Sequence, residues 1–247
     1  MFFRQLKDLE GLDFKKSFNW LGGGYITPNC EGYICAAQEL ALFTKYHEKH
    51  ILKTSQDDRC RICMKEKETI VHLLAGCDNL ARKEYIERHN NVCKYVHYVL
   101  CQNYFGMVAQ NWFQHMPKEV MVGRDTDITW DQSILTDRPI GANKPDILVK
   151  DKKAKKVYLI DISCPADSNV IKKESEKIMK YGGLKIELQR MWKMPVVVIP
   201  VVVGALGAVS VNLKRYLAGI PGVPDWKMCQ KIAILGSQKI MRSVLSR

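Results

Sequence analysis

Acidic residues are in short supply in this 247-residue chain: 26 Asp and Glu stand against 38 Lys and Arg, a formal charge of +12. An excess of that sign points to phosphate backbones or other anionic surfaces rather than to polycationic partners. Long apolar runs are also missing. The most apolar stretch, seventeen residues from Pro195 to Val211 (PVVVIPVVVGALGAVSV), contains two prolines and two glycines. It falls short of the ~20 residues that a spanning helix needs. It reads as a buried strand running into a helix, so the chain is expected to be soluble, with no membrane partner. Residues 1–5 hold only a short apolar patch, with Arg4 and Lys7 close behind and no small-residue cleavage site, so no secretory leader is expected. Sixteen glycines and nine prolines without a periodic or biased tract exclude collagen-like and low-complexity chains. The run Gly22–Gly24 is not followed by Gly-Lys-Ser/Thr and is therefore no phosphate loop.

What is present is a hydrophobic content of 47 %, enough for a real core in one large domain or two modest ones. Nine cysteines, an odd number, suggest reduced thiols of the cytosol or nucleus, so clustered cysteines are tested first as metal ligands. Along the chain, residues 1–58 read as helical in pieces, with Cys35–His50 as one helix carrying Ala36, Leu40 and Phe43 on a stripe. Residues 59–115 combine a short cysteine-rich segment with a second helical zone from Asn79 to about Gln110. Its apolar members are Tyr85, Ile86, Val92, Tyr95, Val96 and Val99. Residues 125–143 read as loop. From there the apolar period becomes strand-like, and residues 116–247 form the last predicted domain. The fold class expected is α+β or α/β, with a helical N-terminal half and an α/β C-terminal half.

Cys60, Cys63, His72 and Cys77 follow the pattern C-x2-C-x8-H-x4-C. A structural zinc site wants four tetrahedral sulfur or imidazole ligands. The first pair offers two thiolates from one turn, and His72 and Cys77 face the same ion from a short helix, with Gly76 allowing close backbone approach. His89 and Cys93, four apart on the next helix, are a further candidate pair. Arg59, Arg61, Lys65 and Lys67 would turn a basic surface towards nucleic acid.

The second constellation is KPDILVKDKKAKKVYLIDISCPAD, Lys144 to Asp167. Two β-branched runs flank a polar segment, which is a hairpin signal. A turn centred between Lys153 and Ala154 sets Asp146 opposite Asp161. Carboxylates at cross-strand distance repel unless a cation lies between them, and oxygen ligands in an incomplete cage suit Mg²⁺. A helix over 168–181 follows, with Lys177 bordering its inward face and Lys180 further round. Residues 144–193 hold 13 Lys and Arg against 7 Asp and Glu, so half the net charge lies beside the acid pair. Further helices are predicted over Val209–Leu217 and Ala233–Leu245, with a strand near Val196–Val203.

Pro145-Asp146, fourteen residues and then Asp161 resemble the PD-(D/E)xK nuclease signature. Ser163 stands where that pattern has lysine, which makes Lys177 or Lys180 the substitute from the next helix. The order of Cys-Cys-His-Cys knuckle, ERHNNV, ILTDRPIGANKPDI, LIDISCPAD, EKIMKY and VVVGALGAV resembles the C-terminal end of the polyprotein of site-specific non-LTR retrotransposons that carry a restriction-like endonuclease. That resemblance implies a restriction-like core, a structural zinc, a catalytic magnesium and a nuclear location. It further implies nicking of target DNA, whose freed 3′ hydroxyl primes reverse transcription of the element RNA. It also implies a reverse transcriptase domain upstream; Gln56-Asp57-Asp58 lacks the aromatic residue of a polymerase metal motif, so this chain is not expected to polymerise DNA by itself. Arg138 and Lys144 read as phosphate contacts. A nucleic-acid-binding protein that has lost catalysis is the alternative.

Overall fold

The computed structural model describes residues 6–24, 26–106 and 109–246, so the reading of residues 1–5 lies outside the described residues. Helix α1 (Pro28–Gln38) and the long helix α2 (Glu84–Phe105) precede a five-stranded sheet. Its strands are β1 (Val120–Val122), β2 (Thr126–Trp130), β3 (Ile147–Asp151), β4 (Lys156–Ser163) and β5 (Val196–Val202). Helices α3 (Val170–Lys180) and α4 (Gly182–Trp192) cross between β4 and β5. Helices α5 (Leu213–Ala218) and α6 (Trp226–Leu245) close the chain. The spatial order is β1-β2-β3-β4-β5. The first three junctions are antiparallel and the β4–β5 junction is parallel. The fold is therefore a mixed α+β arrangement. Among the described residues no helix is long and apolar enough to cross a membrane.

The β3–β4 hairpin has the register read from its sequence: Ile147 lies opposite Ile160 and Asp151 opposite Lys156. Asp151 closes the turn by accepting the Ala154 amide at 2.7 Å, the local bond that makes Asp a turn residue. Side chains alternate across β4. Tyr158, Ile160 and Ile162 pack with Val92, Val96 and Leu100 of α2 and with Ile232 of α6. Val157 and Leu159 pack on the other face with Tyr181, Leu184 and Leu188. Asp161 belongs to this second face, which directs it at the α3–α4 junction.

Several boundaries differ from those read in the sequence. The helix placed at Cys35–His50 begins earlier, at Pro28, where a missing N–H is harmless and Thr27 caps the Cys30 amide. It ends at Gln38. Leu40 is left-handed, and Thr44 caps a separate short turn at Lys45–His47. Leu40 and Phe43 are consequently exposed rather than on a core stripe. The zone from Asn79 is split into Asp78–Ala81 and α2, and Ile86 faces solvent. The supposed loop of residues 125–143 contains β2, paired along its whole length with β3. The helix expected from Val209 starts at Leu213, because residues 203–209 form a tight turn bridged from Val203 to Val209. Helix α6 starts at Trp226, seven residues before Ala233, capped by Asp225.

A second apolar cluster joins Trp20, Ile34, Leu73 and Leu74 to Leu206, Ile234 and Met241. Arg88, buried at its centre, donates to Leu74 O (2.8 Å), Cys164 O (2.9 Å) and Ser237 Oγ (2.9 Å). One guanidinium thus links the cysteine-rich segment, the end of β4 and α6.

Candidate functional site

The ligating atoms of Cys60, Cys63, His72 and Cys77 lie within 4.8 Å of one another, with Cys63 Sγ 3.4 Å from His72 Nε2. The turn that presents the first two closes through Met64 N→Cys60 O (2.8 Å) and Cys60 N→Glu66 O (2.7 Å). His72 to Gly76 is one π-helical turn. Its five-residue spacing stacks position i over i+5, which is why His72 and Cys77 converge where an α-helix would splay them. Gly76 is not needed for close approach: a Cβ there would meet only His72 Nδ1, at 3.4 Å. Tyr85 fastens the turn, its hydroxyl donating to the His72 and Leu73 carbonyls and accepting from Cys77 N at 3.1 Å. Burial lowers the His72 pKa, keeping a neutral imidazole. Burial also raises Cys60, to about 11. Cys63 sits below the usual thiol range, since the Lys65 and Glu66 amides outweigh its desolvation. Three thiols and an imidazole in a closed, converging set can hold a metal such as zinc.

The hairpin carries both acids, each with its own set of partners. Asp146 immediately precedes β3 and accepts the Ile162 amide through Oδ2 at 2.6 Å. Asp161 is almost fully buried and is met by Lys177, in an ion pair with Oδ2, by Lys180 Nζ at 3.5 Å from Oδ1, and by the Tyr181 hydroxyl. Tyr181 also reaches Lys144 O at 2.9 Å and takes a bond from Lys180 Nζ at 2.7 Å. Both candidate lysines therefore converge on one carboxylate, Lys177 more closely. Asp161 Oδ2 is closed to solvent, and its partner is the Lys177 ammonium.

Sequence reasoning missed the third partner of this site. His89, in the first turns of α2, places Nε2 3.1 Å from Asp146 Oδ2. His89 and Cys93 therefore group with Asp146, not with the cluster at Cys60. Burial opposes the charge of both groups, but the His89–Asp146 bond outweighs it. The imidazole is raised and the carboxyl lowered, the latter helped by the Ile162 amide and Lys177. A sequence signal existed: His89, Cys93, His97 and Cys101 recur every fourth residue, one stripe of α2.

The basic residues divide into two groups. Arg61 is held by Glu68, which is fully buried and also accepts the Lys45 and Arg61 amides. Its guanidinium is part of the framework and is largely withdrawn from the basic surface expected around the cysteine-rich segment. Arg59 is exposed and paired with Asp57. Lys65, Lys67 and Arg138 are exposed, and Lys144 stands at the rim of the acid site paired with Asp131 at 2.9 Å. A cleft of about 250 Å³ lined by Ala75, His89, Ser163 and Lys173 runs from the His72–Gly76 turn to the end of β4. Neither the protein-family models nor the curated proteins contain a match to this chain.

Proposed function

We propose that the chain is a metal-dependent DNA endonuclease module with a zinc knuckle, built on a restriction-like core of the kind carried by site-specific non-LTR retrotransposons. The observation that carries this reading is the ion pair of Lys177, from the helix that follows the hairpin, with Asp161 on β4, whose strand pairs with the one that Asp146 immediately precedes. In this reading Asp146 and Asp161 would hold Mg²⁺. When bound, the ion would lower the pKa of a water and neutralise phosphate charge. Lys177 stabilises negative charge gathering on the phosphoryl oxygens, with Lys180 at the rim. The Tyr181 hydroxyl fixes the rotamer of Asp161, and His89 that of Asp146. Lys144, Lys173 and Arg138 supply backbone contacts that are sequence-independent and salt-sensitive. The knuckle, zinc-bound, supports the other wall of the cleft. In the full-length protein of this kind, a reverse transcriptase domain, element RNA and a nuclear location complete the picture.

The test is nicking of supercoiled plasmid in Mg²⁺. Asp146→Ala, Asp161→Ala and Lys177→Ala should each abolish the nicked product, while Ser163→Ala leaves it intact. Undiminished cutting by either aspartate variant would sink the assignment. A second reading, nucleic-acid binding without cleavage, is favoured by the Lys177–Asp161 ion pair, which satisfies the carboxylate without a metal. It predicts salt-sensitive binding that survives removal of both acids, with no Mg²⁺-dependent product.

A further inference from the structure

We propose that His97, Cys101 and His115, with the thioether of Met121, form a second, buried site for a soft closed-shell cation, Zn²⁺ or Cu⁺. The three ligating atoms lie within 4.8 Å of one another. His97 Nδ1 is 2.7 Å from His115 Nε2, and Cys101 Sγ is 3.4 Å from His97 Nδ1 and 3.4 Å from Met121 Sδ. The sulfur-to-imidazole separation equals that between Cys63 and His72 in the knuckle.

The site has three sources. His97 and Cys101 are one turn apart on α2 and share a face. His115 follows the short turn Trp112–Gln114, and Met121 is the middle residue of β1. The two histidines and the cysteine are buried, His97 and Cys101 completely, and Met121 is half-buried. Trp130 stands edge-on to His97 at 5.4 Å, and Tyr98 meets His115 at 5.7 Å. No carboxylate belongs to the group, which disfavours hard cations such as Mg²⁺ and Ca²⁺. Two imidazoles, a thiol and a thioether form a soft set. Binding replaces the Cys101 S–H proton, released to solvent, with a sulfur–metal bond. With Cu⁺ the thiolate leaves the buried site neutral, and with Zn²⁺ one positive charge remains. The ion would tie the C-terminal half of α2 to the loop beyond it and to the edge of the sheet, independently of the knuckle and of the acid pair.

The experiment is metal uptake by the full chain, stripped and then titrated with Zn²⁺ alone or Cu⁺ alone, and quantified by mass spectrometry. The wild type should take up one equivalent of at least one of these ions that Cys60→Ser does not remove. Cys101→Ala and His115→Gln should each lose that equivalent. Should the knuckle reading fail, this equivalent still appears, and is lost only in the Cys101 and His115 variants. Uptake of both ions that is unchanged in those two variants overturns the proposal and leaves a hydrogen-bonded histidine pair. If neither variant folds, X-ray absorption of the metal in the intact chain decides. A first shell richer in nitrogen than the three-to-one sulfur-to-nitrogen ratio of the knuckle supports the second site. A ratio of three to one refutes it.

Discussion

Replacing Arg88 with methionine tests whether one buried cation joins the segments around the cleft. The guanidinium supplies three hydrogen bonds, to Leu74 O, Cys164 O and Ser237 Oγ. Each acceptor left unpaired costs about 1–3 kcal/mol, or about 3–9 kcal/mol for the three. Methionine keeps most of the aliphatic packing and abolishes the need to bury a charge, whose effective desolvation is several kcal/mol. The net expectation is a loss of about 2–4 kcal/mol. For a chain of this size each kcal/mol moves Tm by about 2–4 °C, so the drop should be on the order of 5–15 °C. Urea unfolding followed by tryptophan fluorescence and by far-UV dichroism measures the loss directly. Arg88→Lys should recover less than half of it, because an ammonium on a single stem does not match the guanidinium fork. A methionine variant within about 0.5 kcal/mol of wild type would show that these bonds are not what holds the segments together.

Asp167 gives a pH signature. Burial raises its carboxyl to about 6, against the pull of the Leu206 and Ala208 amides that it accepts. A group whose folded pKa is raised favours the folded state most below its unfolded value. That contribution, about 3 kcal/mol, fades as pH rises from about 4 to about 6. Asp167→Asn should remove this decline, and a wild-type minus variant stability difference that is flat across that range contradicts the assignment. Gly207 has φ +104°, and a Cβ there would lie 2.8 Å from Trp20 Nε1 and 2.9 Å from Ile234 Cδ1. Gly207→Ala should lose about 2–5 kcal/mol from backbone strain and overpacking. Gly182→Ala, with open space around it, should be neutral or slightly stabilising in the same urea titration.

The hairpin was legible because its signals are local. Two β-branched runs around a lysine-rich turn allow one register, and the observed pairing, from Ile147 with Ile160 to Asp151 with Lys156, follows it. The Cys-x2-Cys pair and His72/Cys77 were equally visible as a spacing. The π-turn that aligns His72 with Cys77 was not, since nothing in HLLAG separates one helical pitch from another. Strand β2 was hidden because Asp127 and Thr129 interrupt its apolar residues, although Thr126 and Ile128 alternate inward. The approach of His89 to Asp146 joins positions far apart in the chain, and only packing of α2 on the sheet creates it. Arg61 showed its charge in the sequence but not its partner, because Glu68 is buried by the fold.

The mixed sheet has a kinetic consequence. Strands β3 and β4 zip through a short turn, but β5 can join only after the chain has travelled through α3 and α4 and closed a parallel edge. Loop closure of that kind is slow compared with hairpin formation. The partners of Asp161 all reside in that returning segment, so the half-site around Asp161 can assemble within one β–α unit. The half-site around Asp146 waits for α2, which is distant in sequence. The two half-sites would then mature at different times, with the Asp161–Lys177 contact preceding the His89–Asp146 contact during refolding.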